Sequence, residues 1–210
     1  DTIEGLPVKE IAYMKNRDNE SFNLVTSIVV PEGVTSFGGF RGDALVYVSL
    51  PSTLKEGPTF GRWGMACKNL VRIDIPENAP LEEIPEEFAY RTSLAQFTFP
   101  SAVKTIGGSA FSSTKLTSVE LPDGLENIGL NGIVDSNECF ADCKELTTVK
   151  LPKGLKSVSR RSFRDCSNLT EVIVPEGMGK VEFGFLDFAR TNLNLKSQEA
   201  LKAIGYTGEF

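Results

Sequence analysis

One seven-residue pattern recurs seven times along this chain, and it restricts the possible folds more than any other feature of the sequence. Each copy carries apolar residues at positions one, four and six and a proline at position seven. The copies begin at residues 25, 45, 70, 94, 116, 146 and 169, so the intervals are 20, 25, 24, 22, 30 and 23 residues. Near-regular repetition with this period is typical of proteins built from stacked structural units.

Each copy predicts a short β-strand with one buried face, because apolar and variable residues alternate over its last positions. The proline ends the strand, since it cannot donate to a sheet, and in four copies a glycine two residues later predicts a turn. One unit cannot bury its own apolar residues, so we expect the units to stack and their strands to form one continuous parallel sheet. The residues expected to stack in register are Ile28, Val48, Ile73, Phe97, Val119, Val149 and Val172.

The segment after each strand contributes a second apolar position and an aromatic position. The apolar position, six residues after the proline, holds Phe37, Ile106, Ile128, Val158 and Val181. The aromatic position holds Phe40, Phe60, Phe88, Phe111, Phe140, Phe163 and Phe188. The third unit is irregular, because Phe60 lies ten residues before Leu70, and Trp63 is an alternative occupant of its aromatic position. These segments lack a 3.6-residue period, so we expect turns, short 3₁₀ pieces or minor strands there rather than long helices.

Both ends of the chain depart from the repeat. Residues 197–205 predict a capping helix with Ser197 as its N-cap and Gly205 just beyond its last residue, while Leu201 and Ile204 cover the last unit. Residues 5–11 match the second half of a unit without its strand, so we expect the natural chain to begin upstream of Asp1. We therefore expect a single domain over residues 1–210, with a partial first repeat at 1–24, seven repeats over about 25–192 and a C-terminal cap at 193–210.

Composition restricts the chemistry that this chain can perform. It contains no histidine, which excludes Ser-His-Asp and Cys-His catalysis. The net charge of −6 argues against a nucleic-acid partner, which would require clustered lysine and arginine. No run of apolar residues approaches the length of a membrane span, and the first residues lack the basic and apolar regions of a signal peptide. We therefore predict no catalytic residues, no cofactor and no metal site.

Two segments, residues 140–152 (FADCKELTTVKLP) and 163–175 (FRDCSNLTEVIVP), resemble BspA-like leucine-rich repeats. The resemblance extends over roughly residues 5–190. It implies a right-handed leucine-rich-repeat solenoid, with a parallel β-sheet on the concave face, turns and short 3₁₀ or minor strands on the convex face, and a short C-terminal capping helix.

The same resemblance implies a secreted or cell-surface protein of a bacterium with a binding or adhesion role. The expected partner is a host matrix protein or a cell-surface protein or glycan, recognised by a rigid curved face. The alternative is a structural spacer with no ligand of its own. We expect a monomer.

The candidate partner surface consists of strand positions three and five, which should point outward on the concave face, together with one insertion. Its strand residues are Tyr47, Arg72, Asp74, Gln96, Ser118, Glu120, Thr148 and Lys150, of which Glu120 and Lys150 should be neighbours. The insertion, residues 130–137, lengthens one interval to 30 residues and adds Leu130, Ile133 and Val134. Apolar residues in a dispensable loop either pack or bind. The alternatives are a solvated sheet and an insertion that packs on the adjacent unit.

Three of the four cysteines share one position in the repeat. Cys67, Cys143 and Cys166 each lie three residues before the first apolar residue of a copy, whereas Cys139 is off the pattern. We expect these thiols to be reduced and buried as small apolar side chains. A disulfide between the neighbouring Cys143 and Cys166 is sterically possible, since adjacent strands lie about 4.8 Å apart. The spacing of Cys139 and Cys143 does not match a zinc site.

Overall fold

The repeated pattern folds into short parallel strands that stack as successive rungs, with a second set of short strands elsewhere on each rung. The computed structural model describes residues 2–3, 6–12, 24–61, 66–130 and 137–210. The strands that belong to the seven-residue pattern are β4 (Ser27–Val29), β6 (Tyr47–Ser49), β7 (Arg72–Asp74), β10 (Ser118–Glu120), β12 (Thr148–Lys150) and β14 (Glu171–Ile173). The second set is β3 (Glu10–Ile11), β5 (Ser36–Phe37), β8 (Glu83–Ile84), β9 (Thr105–Gly107), β11 (Asn127–Leu130), β13 (Ser157–Val158) and β15 (Glu182–Phe183).

The strands of the pattern form two parallel sheets in which the predicted register is confirmed. One sheet has the order β4-β6-β7 and the other the order β10-β12-β14. In the first sheet, Val48 pairs with Ile28 and with Ile73. In the second, Val149 pairs with both Val119 and Val172. In these six copies the fourth position therefore forms an aliphatic column in each sheet, as the constant offset predicts.

The expectation of one continuous sheet is wrong, because the copy at residues 94–100 does not form a strand. Phe97 stands at the fourth position of this copy, where the other copies have Val or Ile, and its ring contacts Phe88, Phe99 and Phe111 at centroid distances of 5.4, 4.8 and 5.2 Å. A phenyl ring is longer than the aliphatic side chains above and below it. Accommodating this ring in a close-packed core displaces the backbone from its hydrogen-bonding register.

The second set of strands confirms the expected minor strands between the copies of the pattern. Five of them form a parallel sheet of order β15-β13-β11-β9-β8. The strand β3 pairs with β5, and Ile11 lies opposite Phe37, which confirms that the N-terminal segment matches the second half of a unit. Before it, β1 (Thr2–Ile3) and β2 (Leu6–Pro7) pair antiparallel.

A ladder of buried phenylalanine rings runs through the core. Phe60 lies between Phe37 and Phe88, at 6.3 and 6.0 Å, and therefore holds the aromatic position of its own unit, whereas Trp63 lies outside the described residues. The rings of Phe111, Phe140, Phe163 and Phe188 stack in parallel, each 5.2 Å from the next, with interplanar angles of 4°, 2° and 6°. The regular spacing follows from the rung repeat, which places the same ring at the same height in each unit.

The C-terminal cap contains one helix, α1 (Leu195–Ala203), and its N-cap differs from the predicted residue. Asn194 is the N-cap, and its side chain accepts a hydrogen bond from the Ser197 amide at 2.8 Å. The Ser197 hydroxyl instead accepts from the Val172 amide at 3.0 Å, so it ties the helix to β14. Asparagine and serine are comparable N-caps, and the contact with β14 decides between them. Gly205 follows the helix with a φ of 118°, as predicted.

Tyr206 terminates the aromatic ladder. Its ring packs nearly perpendicular to Phe188, at 5.2 Å and 86°, and its hydroxyl accepts a hydrogen bond from the Phe188 amide at 3.3 Å. Elsewhere that amide position donates to the next rung, as Phe163 does to the Asp187 carbonyl. Leu201 and Ile204 are buried beside it, as predicted. The cap therefore replaces both the packing and the hydrogen bonding of a missing rung.

Candidate binding surface

The outward positions three and five of the seven copies form a surface that we call the strand face. The predicted residues Tyr47, Arg72, Asp74, Ser118, Glu120, Thr148 and Lys150 lie there on β6, β7, β10 and β12, and Gln96 lies on the interrupted copy between the two sheets. They alternate with the buried aliphatic column, so their side chains point away from the core.

Three residues of the first sheet hold one another in place. The Arg72 guanidinium contacts the Asp74 carboxylate through Nε and a terminal nitrogen at 2.9 and 2.8 Å. The Tyr47 hydroxyl donates to the same carboxylate at 3.1 Å, and the guanidinium lies 5.6 Å from the Tyr47 ring centroid. The hydrogen bond from Arg72 holds the pKa of Asp74 below its ordinary value. These contacts fix the directions of three polar side chains on the surface.

The second sheet carries a surface ion pair that the sequence predicted. Glu120 and Lys150 lie opposite each other in the register of β10 and β12, and Lys150 Nζ lies 2.5 Å from Glu120 Oε1. The hydrogen bond to Glu120 raises the pKa of Lys150. Both side chains are more than half exposed, so solvent screens the pair and it contributes little to stability. It neutralises two charges of the strand face without fixing the fold.

The interrupted copy creates two hollows in the strand face, one on each side of residues 96–98. The first, of about 720 Å³, lies between β7 and the interrupted copy and is bordered by Ser49, Arg72, Asp74, Gln96 and Thr98. The second, of about 520 Å³, lies toward β10 and is bordered by Glu77, Gln96, Ser118, Glu120, Asp123 and Lys150. Six of the eight predicted strand-face residues therefore border one or both of the hollows beside the interrupted copy. Tyr47 adjoins it through Arg72, and Thr148 lies outside the two linings.

The start of the insertion, which lies within the described residues, is apart from these hollows. Leu130 ends β11, which belongs to the five-stranded sheet and not to the sheets of the strand face. Gly129, with a φ of 84°, and a register shift between Ile128 and Leu130 mark the point where the chain leaves the regular rung. Ile133 and Val134 lie outside the described residues, and a partner surface shared by the insertion and the strands stays a prediction.

The sequence prediction placed Ser49 and Thr98, at position five of their copies, on the outward side of the strands but not in the candidate partner surface. It missed Glu77 and Asp123, which each follow the proline that ends a copy and border the second hollow. The available signal was Phe97, the one aromatic residue in a column of Val and Ile. A larger residue in a regular column marks the place where the regular surface changes.

The cysteines are buried, as predicted, and three of their thiols donate hydrogen bonds to backbone carbonyls. The thiols of Cys67, Cys143 and Cys166 donate to the carbonyls of Phe40, Phe111 and Phe140 at 3.3, 3.2 and 3.1 Å. All four cysteines are free. Burial raises the pKa of Cys67 to about 11, which disfavours the reactive thiolate. Within the described residues, no three cysteine, aspartate or glutamate side chains lie close enough together to hold a metal ion.

Stacked strands of one repeated apolar pattern, minor strands between them and a helical cap define a leucine-rich-repeat solenoid. The chain belongs to the BspA type leucine-rich repeat family, whose repeat region matches it in six copies over residues 17–136 and 135–207. None of the helices in the described ranges is both long enough and apolar enough to cross a membrane.

Two solved structures are similar to this chain. The leucine-rich repeat protein of T. pallidum is 32% identical, with a TM-score of 0.67 over 99% of this chain and 82% of that one. A leucine-rich repeat protein of Bacteroides ovatus is 20% identical, with a TM-score of 0.57 over 90% of this chain and 58% of that one. The second likeness concerns the fold alone. No curated protein gave a match.

Proposed function

We propose that this chain is a non-enzymatic, extracellular binding module of a bacterial surface protein. It recognises a protein partner with the strand face around residues 96–98. The observation that carries this proposal is the pair of hollows on either side of the interrupted copy, which gather six outward polar residues at one place. BspA type repeat regions are generally modules for protein interaction, and the two structural relatives are bacterial.

The physical argument is one of preorganisation. The strand face is carried by a stacked core, so a partner that binds there need not order a flexible loop. Arg72, Asp74 and Tyr47 already hold one another in fixed directions. Their remaining donor and acceptor sites suit polar recognition, in which hydrogen bonds and shape set specificity.

The composition of the face favours a protein over a glycan. Tyr47 is the only aromatic residue among the outward strand positions, and its hydroxyl and ring are engaged by Asp74 and Arg72. Cation–π and hydrogen-bond contacts of this kind leave little free ring surface for stacking on a sugar. A host matrix protein or a protein on another cell provides the polar, extended surface that this face fits.

The proposal is tested by binding to immobilised host matrix proteins, with a cell-surface glycan array in parallel. Gln96→Arg places a bulky charge on the ridge between the hollows and should lower binding by about tenfold or more. Ser27→Arg is the matched control, because Ser27 holds the same strand position on an exposed rung away from the hollows. It should leave binding unchanged.

Equal binding by both variants would remove residues 96–98 from the recognition surface. Absence of binding to every matrix protein and glycan would favour the alternative of a spacer domain. Binding confined to the glycan array would contradict the choice of a protein partner.

A further inference from the structure

The interrupted copy leaves backbone groups without the partners that they have in other rungs. In regular rungs the amide at position six donates to the position-five carbonyl of the next rung, as in Val30 to Ser49, Leu50 to Asp74, Leu121 to Lys150 and Leu151 to Ile173, at 2.9–3.2 Å. The corresponding amides of Ile75 and Phe99 make no backbone hydrogen bond in the stretch 66–130, which is described throughout. Two donors are thus left over at the break.

An acceptor is left over at the same place. The position-two carbonyl normally accepts an amide of the following rung, as Val46 does from Val71 at 3.0 Å and Thr117 does from Thr147 at 2.9 Å. The Val71 carbonyl accepts no such bond within that same stretch. Ile75 and Val71 line the first hollow, and Phe99 lines the second. The side of β7 that faces the first hollow is therefore an open sheet edge in the middle of the solenoid.

Unpaired main-chain groups at a sheet edge are a template for another strand. Ile75 and Phe99 are themselves buried residues, and buried amides and carbonyls are nearly always paired. The volume of the first hollow, about 720 Å³, lies within the range of ligand sites, roughly 300–1,000 Å³. The shape and the polar groups together suit an extended main chain.

The charges around the hollows select the kind of segment. The two linings contain four carboxylates and two cations. Arg72 is paired with Asp74 and Lys150 with Glu120. Glu77 and Asp123 are exposed and make no ion pair within residues 66–130 and 137–210. An occupant with positive side chains is therefore complementary to the rim.

We propose that the open edge of β7 binds an extended peptide segment that carries lysine or arginine, with main-chain hydrogen bonds to Val71 and Ile75 and its cations at Glu77 and Asp123. This inference rests on the proposed function and names the kind of partner that the strand face takes. The mode is addition of a strand to a sheet edge, in which the main chain supplies affinity and the flanking side chains supply specificity.

Three synthetic peptides test the proposal by fluorescence polarisation with the whole chain. The first is a fluorescein-labelled peptide of alternating lysine and valine. The second has glutamate in place of lysine, and the third is the lysine peptide with alternate amides N-methylated. The first should bind, and each of the other two should bind at least about tenfold more weakly. The glutamate peptide loses the charge contacts, and the N-methylated peptide loses main-chain hydrogen bonds.

A pair of variants locates the site. Glu77→Gln combined with Asp123→Asn should weaken binding of the lysine peptide about tenfold. Glu176→Gln is the matched control, because Glu176 follows the proline of the last copy and borders neither hollow. It should leave binding unchanged. Hydrogen exchange at the Ile75 amide, followed by NMR, should slow when the peptide is added.

Each contrary result overturns the inference. If the lysine peptide does not bind, water and not peptide satisfies these groups. If N-methylation has no effect, the contact is electrostatic and does not involve the sheet edge. If the peptides fail while the Gln96→Arg variant still abolishes binding to a matrix protein, the strand face recognises a folded surface, and the proposed function stands without this inference.

Discussion

Removing one ring from the regular part of the aromatic ladder is the sharpest test of how this solenoid is held together. Phe163 is fully buried and stacks between Phe140 and Phe188, at 5.2 Å from each. Replacing it with alanine removes the apolar contacts of the ring and leaves a cavity between two rings that the rung spacing holds apart. Substitutions of this type cost about 3–5 kcal/mol, and the loss of two stacked contacts places Phe163→Ala toward the upper part of that range.

The effect should be measured by urea denaturation and by thermal melting. For a chain of this size, each kcal/mol lowers Tm by roughly 2–4 °C, so a loss of about 4 kcal/mol lowers Tm by about 8–16 °C. Because each rung supports its neighbours, amide exchange at Phe140 and Leu169 should also accelerate. Phe185→Ala is the control, since its ring is 66% exposed and lies 5.9 Å from the Arg160 guanidinium. It should cost less than about 1 kcal/mol.

A melting curve of Phe163→Ala that matches the parent would refute this reasoning. An equal loss in the two variants would do the same, because it would show that burial in the ladder makes no difference. A large loss without faster exchange at Phe140 and Leu169 would keep the cavity argument and contradict the coupling between rungs.

Three further predictions follow from buried groups and from the insertion. Burial raises the pKa of Asp187 to about 7, so the neutral carboxyl stabilises the fold fully below about pH 4, and this contribution is lost as the pH rises through 7. The free energy of unfolding of the parent, measured by urea denaturation, should therefore fall by on the order of 4 kcal/mol between pH 4 and pH 8, and Asp187→Asn should abolish this fall. The same fall in the variant as in the parent would contradict the prediction. Thiol titration of the denatured protein without reductant should count four thiols, since Cys143 and Cys166 are buried and free, whereas a count of two would indicate a disulfide. Deleting residues 130–137 should lower stability, because Leu130 ends β11; unchanged stability with lost binding would instead make the insertion part of the partner surface, and no change in either would remove it from the functional account.

The repeat itself was predictable from the sequence because its signals are local. The offset of three residues from the start of each copy correctly placed Val48, Ile73 and Val149 in stacked columns. Alternation along each strand also assigned Arg72 and Glu120 to the outward side. Period, proline and alternation are properties of a single unit, and every unit repeats them, so errors in one copy are corrected by the others.

The details of the cap and of the strand face were decided by contacts between units. Ser197 and Asn194 are both good N-caps in isolation, and only the hydrogen bond from the Val172 amide to Ser197 shows which one remains free to cap the helix. Likewise, the alternation of residues 94–100 predicts a strand as well as any other copy does. The seven-residue pattern does not show how much core volume the neighbouring units leave for the side chain at its fourth position.

The sequence by itself therefore determined the family, the stacking register and the outward set of residues, while the tertiary structure alone decided where that set becomes a site. Phe97 satisfies the apolar pattern, yet its ring must share the core with Phe88, Phe99 and Phe111, which come from two other positions of the repeat. An apolar pattern records whether a residue is buried but not how much volume its neighbours leave. That volume breaks the sheet, opens the two hollows and frees the Ile75 and Phe99 amides.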